Sequence, residues 1–195
     1  MMSREQPGAG AEVEAVDATR ERNFRRICDI IKKYFPRAKT ILDVGSSSGH
    51  FLKAARDNGF LATGLEPDVQ LAEKTRLEGY DVIEGFFPNA ENLADKIYDI
   101  IIFNDSFEHI PNFQTVIQGI QNHLDKTKGV VIINLPASDG VLFKTAFLLY
   151  KLGIHTPFDR LWQKGFASPH LHYFNVRNLR LLFEHNGFVM KYTTR

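Results

Sequence analysis

The chain has 195 residues, 44% hydrophobic and 24% charged, and its 24 basic and 23 acidic side chains give a formal net charge of +1. At roughly 150 residues per domain, this length favours one globular domain with its own core, and the near-neutral balance supplies no basic field for nucleic acid or anionic lipid. The single Cys28 excludes a disulfide framework and a multi-cysteine zinc site, and no apolar run approaches the roughly 18 residues of a spanning helix.

Residues 1–16 are small, polar and Gly/Pro-containing and read as a flexible tail ahead of a domain over 17–195. The N-terminus mixes both charge signs and has no apolar h-region, so it predicts a cytoplasmic protein. Phe24, Ile27, Cys28, Ile31, Tyr34 and Phe35 then recur at helical spacing, and Pro36 stands where that helix should stop. Thr40 to Val44 is a short β-branched run that enters the small-residue loop Gly45–Gly49. A helix over 51–58 follows, capped by Gly59, then a strand over 60–65, a helix over 69–78 and a short strand over 81–84. Asp99 to Phe103 is a continuous apolar run, the pattern of a parallel strand covered on both faces. Phe113, Val116, Ile117, Ile120 and Leu124 mark one helix face, and Val130 to Leu135 is the next buried strand. This alternation predicts an α/β fold with a doubly wound, mainly parallel sheet. From 137 to 175 the rhythm breaks into a long aromatic insert, followed by a helix over 176–186 and a last strand over Phe188–Thr193.

The chemistry concentrates at strand ends, where open α/β sheets bind ligands. The loop Gly45-Ser46-Ser47-Ser48-Gly49 lets a ligand lie against backbone. Its spacing is neither the Gly-x-Gly-x-x-Gly of dinucleotide proteins nor a P-loop. Glu66 ends the second strand, where a carboxylate accepts the hydroxyls of an adenosine ribose.

Asp43-x-Gly45-x-x-x-Gly49, Glu66-Pro67, Asp99 to Ile110 and Val130 to Pro136 together resemble, in order and spacing, the motifs of class I S-adenosylmethionine-dependent methyltransferases. The resemblance covers about residues 24–193 and implies a Rossmann-like fold and S-adenosyl-L-methionine as cofactor, with S-adenosyl-L-homocysteine as product. It implies that Gly45, Ser46, Ser47 and Gly49 line the methionine part while Asp43 supports their loop. Glu66, beside Pro67, would hold the ribose; Gly85, Phe86 and Phe87 would flank the adenine; Asn104 and Asp105 would approach the amino-acid end. Two departures stand out: Ser47 replaces a customary glycine, and the C-terminal edge after Thr193 is shorter than the family's.

Glu108-His109 resembles the Glu-His of small-molecule O-methyltransferases similar to those of ubiquinone synthesis. Some of these carry Glu-x-x-Glu-His and bind a divalent metal, of which Asp105-x-x-Glu108-His109 is a loose copy. This turn alone supplies too few ligands, and a helix-start acid beside a site-lining histidine is the plainer reading, so no metal is assigned. His170 and His172 of His-Leu-His-Tyr-Phe lie on one face if extended. They either pin the insert or remove a hydroxyl proton, with His170 the better candidate.

The sequence therefore predicts methyl transfer to a small-molecule, glycan or lipid-type acceptor, favouring oxygen, with His109 and His170 as candidate bases. The alternatives are a nucleic-acid methyltransferase, disfavoured by charge and by the lack of an Asn/Asp-Pro-Pro-Tyr/Phe tetrad, and a cofactor-binding protein without catalysis. The insert 137–175 holds Val141, Leu142, Phe143, Phe147, Leu148, Leu149, Tyr150 and Leu152, flanked by Lys144, Lys151, Arg160 and Lys164. It reads as a lid over the acceptor or, failing that, as a peripheral membrane or homodimer surface.

Overall fold

The computed structural model describes residues 9–161 and 169–194, with side chains outside 9–17 and 142. Five strands form one sheet of order β3-β2-β1-β4-β5, every pair parallel. They are β1 (Thr40–Val44), β2 (Leu61–Glu66), β3 (Asp81–Glu84), β4 (Ile100–Asn104) and β5 (Val130–Asn134). Helices α1 (Ala9–Tyr34), α2 (His50–Asp57), α3 (Val69–Leu77) and α4 (Phe113–His123) alternate with them. After β5 come α5 (Val141–Lys151), α6 (Thr156–Leu161) and α7 (Val176–His185).

The apolar runs explain the sheet's centre. Ile41 and Leu42 of β1 and Ile100 to Phe103 of β4 are fully buried, because helices cover both faces. One face packs Ile27, Cys28 and Ile31 of α1 and Phe51 and Ala55 of α2. The opposite face packs Phe107, Val116, Ile117 and Ile120 with Phe174. Cys28 sits in that first core, where burial pushes its thiol up to about 11.

Caps set the helix starts. Asp68 accepts from the backbone of Gln70 and Leu71 to open α3, Asn112 accepts from Thr115 to open α4, and Asn175 with Asn178 forms a reciprocal box at α7. The chain turns back between β1 and β4, which places the switch point, and hence a ligand crevice, at the carboxyl ends of these two strands.

Two expectations need correction. Residues 9–16 of the expected tail are helical, since Ala9-Gly-Ala-Glu-Val-Glu-Ala-Val is rich in good helix formers and continues α1; residues 1–8 lie outside the described part. The last strand over Phe188–Thr193 does not form. That segment is tied to α1 instead, through Arg26 donating to the Thr194 hydroxyl and Tyr34 stacking near Tyr192. The outer edge of β5 is consequently half-buried and faces a cavity of about 820 Å³ lined by α1, α7 and the C-terminal segment.

Candidate functional site

The first wall is the loop between β1 and α2. Its backbone is left-handed at Gly45 (φ 80°), Ser47 (φ 48°) and Gly49 (φ 75°). A Cβ on Gly45 would stand 2.8 Å from Ser106 Cβ of the β4 loop, so glycine lets the two strand ends approach. Ser47 adopts the strained region despite its side chain, as the departure from the customary glycine requires. The Gly45 and Ser46 N–H groups both donate to the Leu65 carbonyl, which anchors the loop to β2. Ser46 is buried against Gly64, and its hydroxyl has no hydrogen-bond partner among the described residues.

Glu66 organises the second wall. It is buried at the end of β2, where one oxygen accepts from Ser47 N–H at 2.7 Å and the other from Asp68 N–H at 2.9 Å. A carboxylate offers about four acceptor positions, so two remain for hydroxyls of a ligand. Exposed Pro67 follows directly. Asp43 is buried, and its carboxyl accepts from Asn104 Nδ2 at 3.2 Å, joining β1 to β4. Burial pushes Asp43 up to about 7, against the lowering effect of that bond.

Beyond β3, Gly85 bonds its N–H to the Glu66 carbonyl at 3.0 Å, and Phe86 is 75% exposed at the rim. Phe87 turns the other way, edge-on to Phe103 with ring centroids 5.7 Å apart, and packs in the core. Of the two aromatic rings expected beside the adenine, only Phe86 stands at the surface.

The third wall follows β4. Asn104 bridges Asp43 and Asn134, Asp105 is exposed in a left-handed turn, and Ser106 donates to the Val44 carbonyl. Glu108 and His109 then lie in a short 3-10 turn, Phe107–His109. The returning end of the insert docks on this turn: Leu171 and His172 N–H both donate to the Glu108 carbonyl, at 3.0 and 3.2 Å. This brings the His109 and His170 rings to 4.8 Å and sets His170 Nε2 3.9 Å from Glu108 Oε1. Ligand-type atoms of Glu108, His109 and His170 all lie within 4.8 Å of one another, close enough to share a positive charge. Sequence reading missed the depth of Glu108, which is 3% exposed with both carboxylate oxygens unpartnered among the described residues. Its neighbour His170 is 62 positions away, a distance that no local pattern reports.

His172 faces elsewhere, its ring 4.4 Å from Phe113. The insert itself is a hairpin of α5 and α6 in which Phe143, Phe147 and Phe158 cluster and Phe143 also meets Tyr173. Val141, Leu148, Leu152 and Ile154 are exposed beside Lys144 and Lys151; Lys164 lies outside the described residues. No helix among the described residues is long and apolar enough to cross a membrane.

A family model described as a methyltransferase domain matches residues 19–192. Among curated proteins no sequence matches. The fold is similar to that of DesVI from Streptomyces venezuelae, with 15% identity and a TM-score of 0.55 over 69% of this chain and 59% of that one. It is also similar to a methyltransferase of Thermotoga maritima described as a possible histamine N-methyltransferase, with 17% identity and a TM-score of 0.60 over 90% and 78% of the two chains. The sugar N-methyltransferase KedS8 of Streptoalloteichus is a third such structure, with 16% identity and a TM-score of 0.53 over 72% and 57%. The chain thus spans less than two thirds of the length of DesVI. With a five-stranded parallel sheet, a glycine-bearing loop after β1 and an acid closing β2, the chain belongs to the methyltransferase-domain family, with the class I fold of S-adenosylmethionine-dependent methyltransferases.

Proposed function

We propose that this chain transfers a methyl group from S-adenosylmethionine to an oxygen of a small-molecule, glycan or lipid-type acceptor. The observation that supports this reading is the meeting of three strand ends: the β1 loop, buried Glu66 and the Asn104–His109 segment are joined by hydrogen bonds at the carboxyl ends of β1, β2 and β4, where open parallel sheets bind ligands, and the insert docks on Glu108. When bound, S-adenosylmethionine supplies a methyl carbon already activated by its sulfonium. The tight approach at Gly45 and the spare acceptor positions of Glu66 fit such a group. Gly45, Ser46, Ser47 and Gly49 would face its methionine part, Glu66 the ribose, Gly85 and Phe86 the adenine rim, and Asn104 and Asp105 the amino-acid end.

The chain's remaining work is alignment, exclusion of water and proton removal. His109 and His170 are the bases proposed for the acceptor hydroxyl. The α5–α6 hairpin shields the acceptor, and its exposed apolar side is proposed as a peripheral membrane or homodimer contact in a cytoplasmic protein. A net charge of +1 argues against a nucleic-acid substrate. A sugar nitrogen is the second reading, taken from the acceptor class named for KedS8.

A panel of phenols, sugars and lipids with methyl-labelled cofactor tests the proposal. Label is expected on a hydroxyl oxygen. Label on nitrogen would favour the second reading, and cofactor binding without labelling of any acceptor would leave a binding protein.

A further inference from the structure

The outer side of the α5–α6 hairpin has an order that a merely solvated surface does not need. Val141 opens α5, Leu148 follows seven positions later, and Leu152 caps the helix four positions further on. At 3.6 residues per turn this spacing sets the three side chains in one line. They are 80%, 59% and 69% exposed, and exposed Ile154 follows just past Gly153. The opposite side of the helix is the packed one: Ala146 is buried, and Phe143 meets Phe158 and Tyr173.

Charge follows the same line. Lys144 and Lys151, also seven positions apart, are exposed along one side of the stripe, and the Lys151 ammonium lies 4.8 Å from the centre of the Phe147 ring. Over residues 141–161 the basic Lys144, Lys151 and Arg160 are set against the single acid Asp159, an excess of two positive charges. The whole chain carries only +1, so the residues outside this hairpin sum to −1. A nearly neutral protein thus gathers its positive charge beside its exposed aliphatic side chains.

That combination selects the occupant. Aliphatic side chains enter the acyl boundary of a bilayer, while lysines lay their apolar stems along it and keep their ammonium groups at the headgroups. Anionic headgroups attract each lysine, which water alone does not. A second copy of the chain fits this surface less well. A two-fold contact through the stripe would bring the same lysines of both copies together, and a stable dimer buries roughly 800 Å² on each partner, more than one short stripe offers.

We infer that the hairpin lays α5 on an anionic membrane surface, with Val141, Leu148 and Leu152 turned into the bilayer and Lys144 and Lys151 among the headgroups. This deepens the peripheral-contact reading above by naming its partner, and it does not depend on the methyl transfer itself. No helix among the described residues is long and apolar enough to cross the bilayer, so the contact is with its surface. The packed side of the hairpin leads back to the candidate site through ring contacts. Phe143 lies 4.9 Å from Tyr173, Tyr173 lies 5.6 Å from His170, and His170 lies 4.8 Å from His109. Docking therefore holds the turn after β4 close to the membrane.

Vesicle flotation of the full chain tests this without acceptor or cofactor. The probes are phosphatidylcholine vesicles with and without about one third phosphatidylglycerol. At low salt, binding to the anionic vesicles is expected to be at least about tenfold tighter than to the neutral ones, and most of that preference should vanish at about 1 M salt, where the Debye length is about 3 Å. Leu148→Asp combined with Leu152→Asp changes two exposed positions and should weaken anionic-vesicle binding at least about tenfold in a chain that keeps its circular dichroism. Lys144→Gln combined with Lys151→Gln should instead bring the two vesicle types to within about twofold of each other. No flotation with anionic vesicles, undiminished binding by the Leu variant, or an undiminished anionic preference in the Lys variant would each overturn the proposal. A concentration-dependent dimer in ultracentrifugation that the Leu variant dissolves, with vesicles binding neither chain, would also overturn it and give the stripe to a second copy. Vesicle binding by a chain that does not take up S-adenosylhomocysteine would sink the methyl-transfer reading and leave the membrane surface standing.

Discussion

At the scale of single residues, the candidate site depends on buried acids that sit at strand ends with different partners. Glu66 receives two backbone N–H groups, whereas Asp43 has one amide donor and full burial. The consequence is a pH dependence of stability. Asp43 titrates near 3.8 in an unfolded chain and is pushed up to about 7 in the fold, so the folded state holds its proton more tightly. Its contribution is fully present below the unfolded value and is lost as pH rises toward 7. Glu108 has the same sign over the same range. Urea unfolding at pH 5 and pH 8 should show a fall in stability across this interval. Asp43→Asn, which keeps size and hydrogen bonding, should shrink that fall by more than about 1 kcal/mol; an equal fall in the variant would refute the assignment. The residue scale also shows a limit of reading sequence. Phe86 and Phe87 are adjacent and chemically alike, yet one is exposed and the other completes the core against Phe103. Only the turn after Gly85 (φ 136°) decides which ring faces out.

Among the elements, the strands and helices around the first crossovers were legible because each satisfies a local rule. β4 is an uninterrupted apolar run, and α4 shows its buried stripe and its Asn112 cap. The Phe188–Thr193 segment has a strand-like pattern, but a strand exists only with a partner, and here the segment lies against α1. Extension of α1 back to Ala9 was hidden by the Gly and small residues of that stretch. The insert was legible as an oversized apolar connection, whereas its docking through Leu171 and His172 onto Glu108 depends on long-range folding. The hairpin's two faces give a prediction. Phe147 stacks with Phe143 and tilts against Phe158 while remaining 42% exposed, and Leu148 is 59% exposed. Replacing both with Ser should therefore reduce acceptor turnover at least tenfold, with cofactor affinity changed less than about twofold, because neither residue belongs to the β1–β2–β4 crevice. Parallel turnover and calorimetric assays check this. Equal loss of both functions would make the hairpin a plain structural support.

For the whole molecule, a parallel sheet with its switch point between β1 and β4 explains why loops from separate parts of the chain converge on one crevice. A cavity of about 820 Å³ along the edge of β5 is a different feature, lined mainly by α1, β5, α7 and the C-terminal segment. Gly45 and Glu66 are the two points at which the crevice is most exposed to a single change. A valine at Gly45 would meet Ser106 and require a left-handed backbone that β-branched residues avoid. Calorimetric titration of the wild-type chain with S-adenosylhomocysteine, beside Gly45→Val and Glu66→Ala, tests the central claim most directly. One-site binding is expected for the wild type, loss of binding for Gly45→Val in a chain that keeps its circular dichroism, and a weakening of roughly 2–4 kcal/mol for Glu66→Ala. No binding to the folded wild-type chain, or the same affinity in all three proteins, would contradict the placement of the cofactor in this crevice.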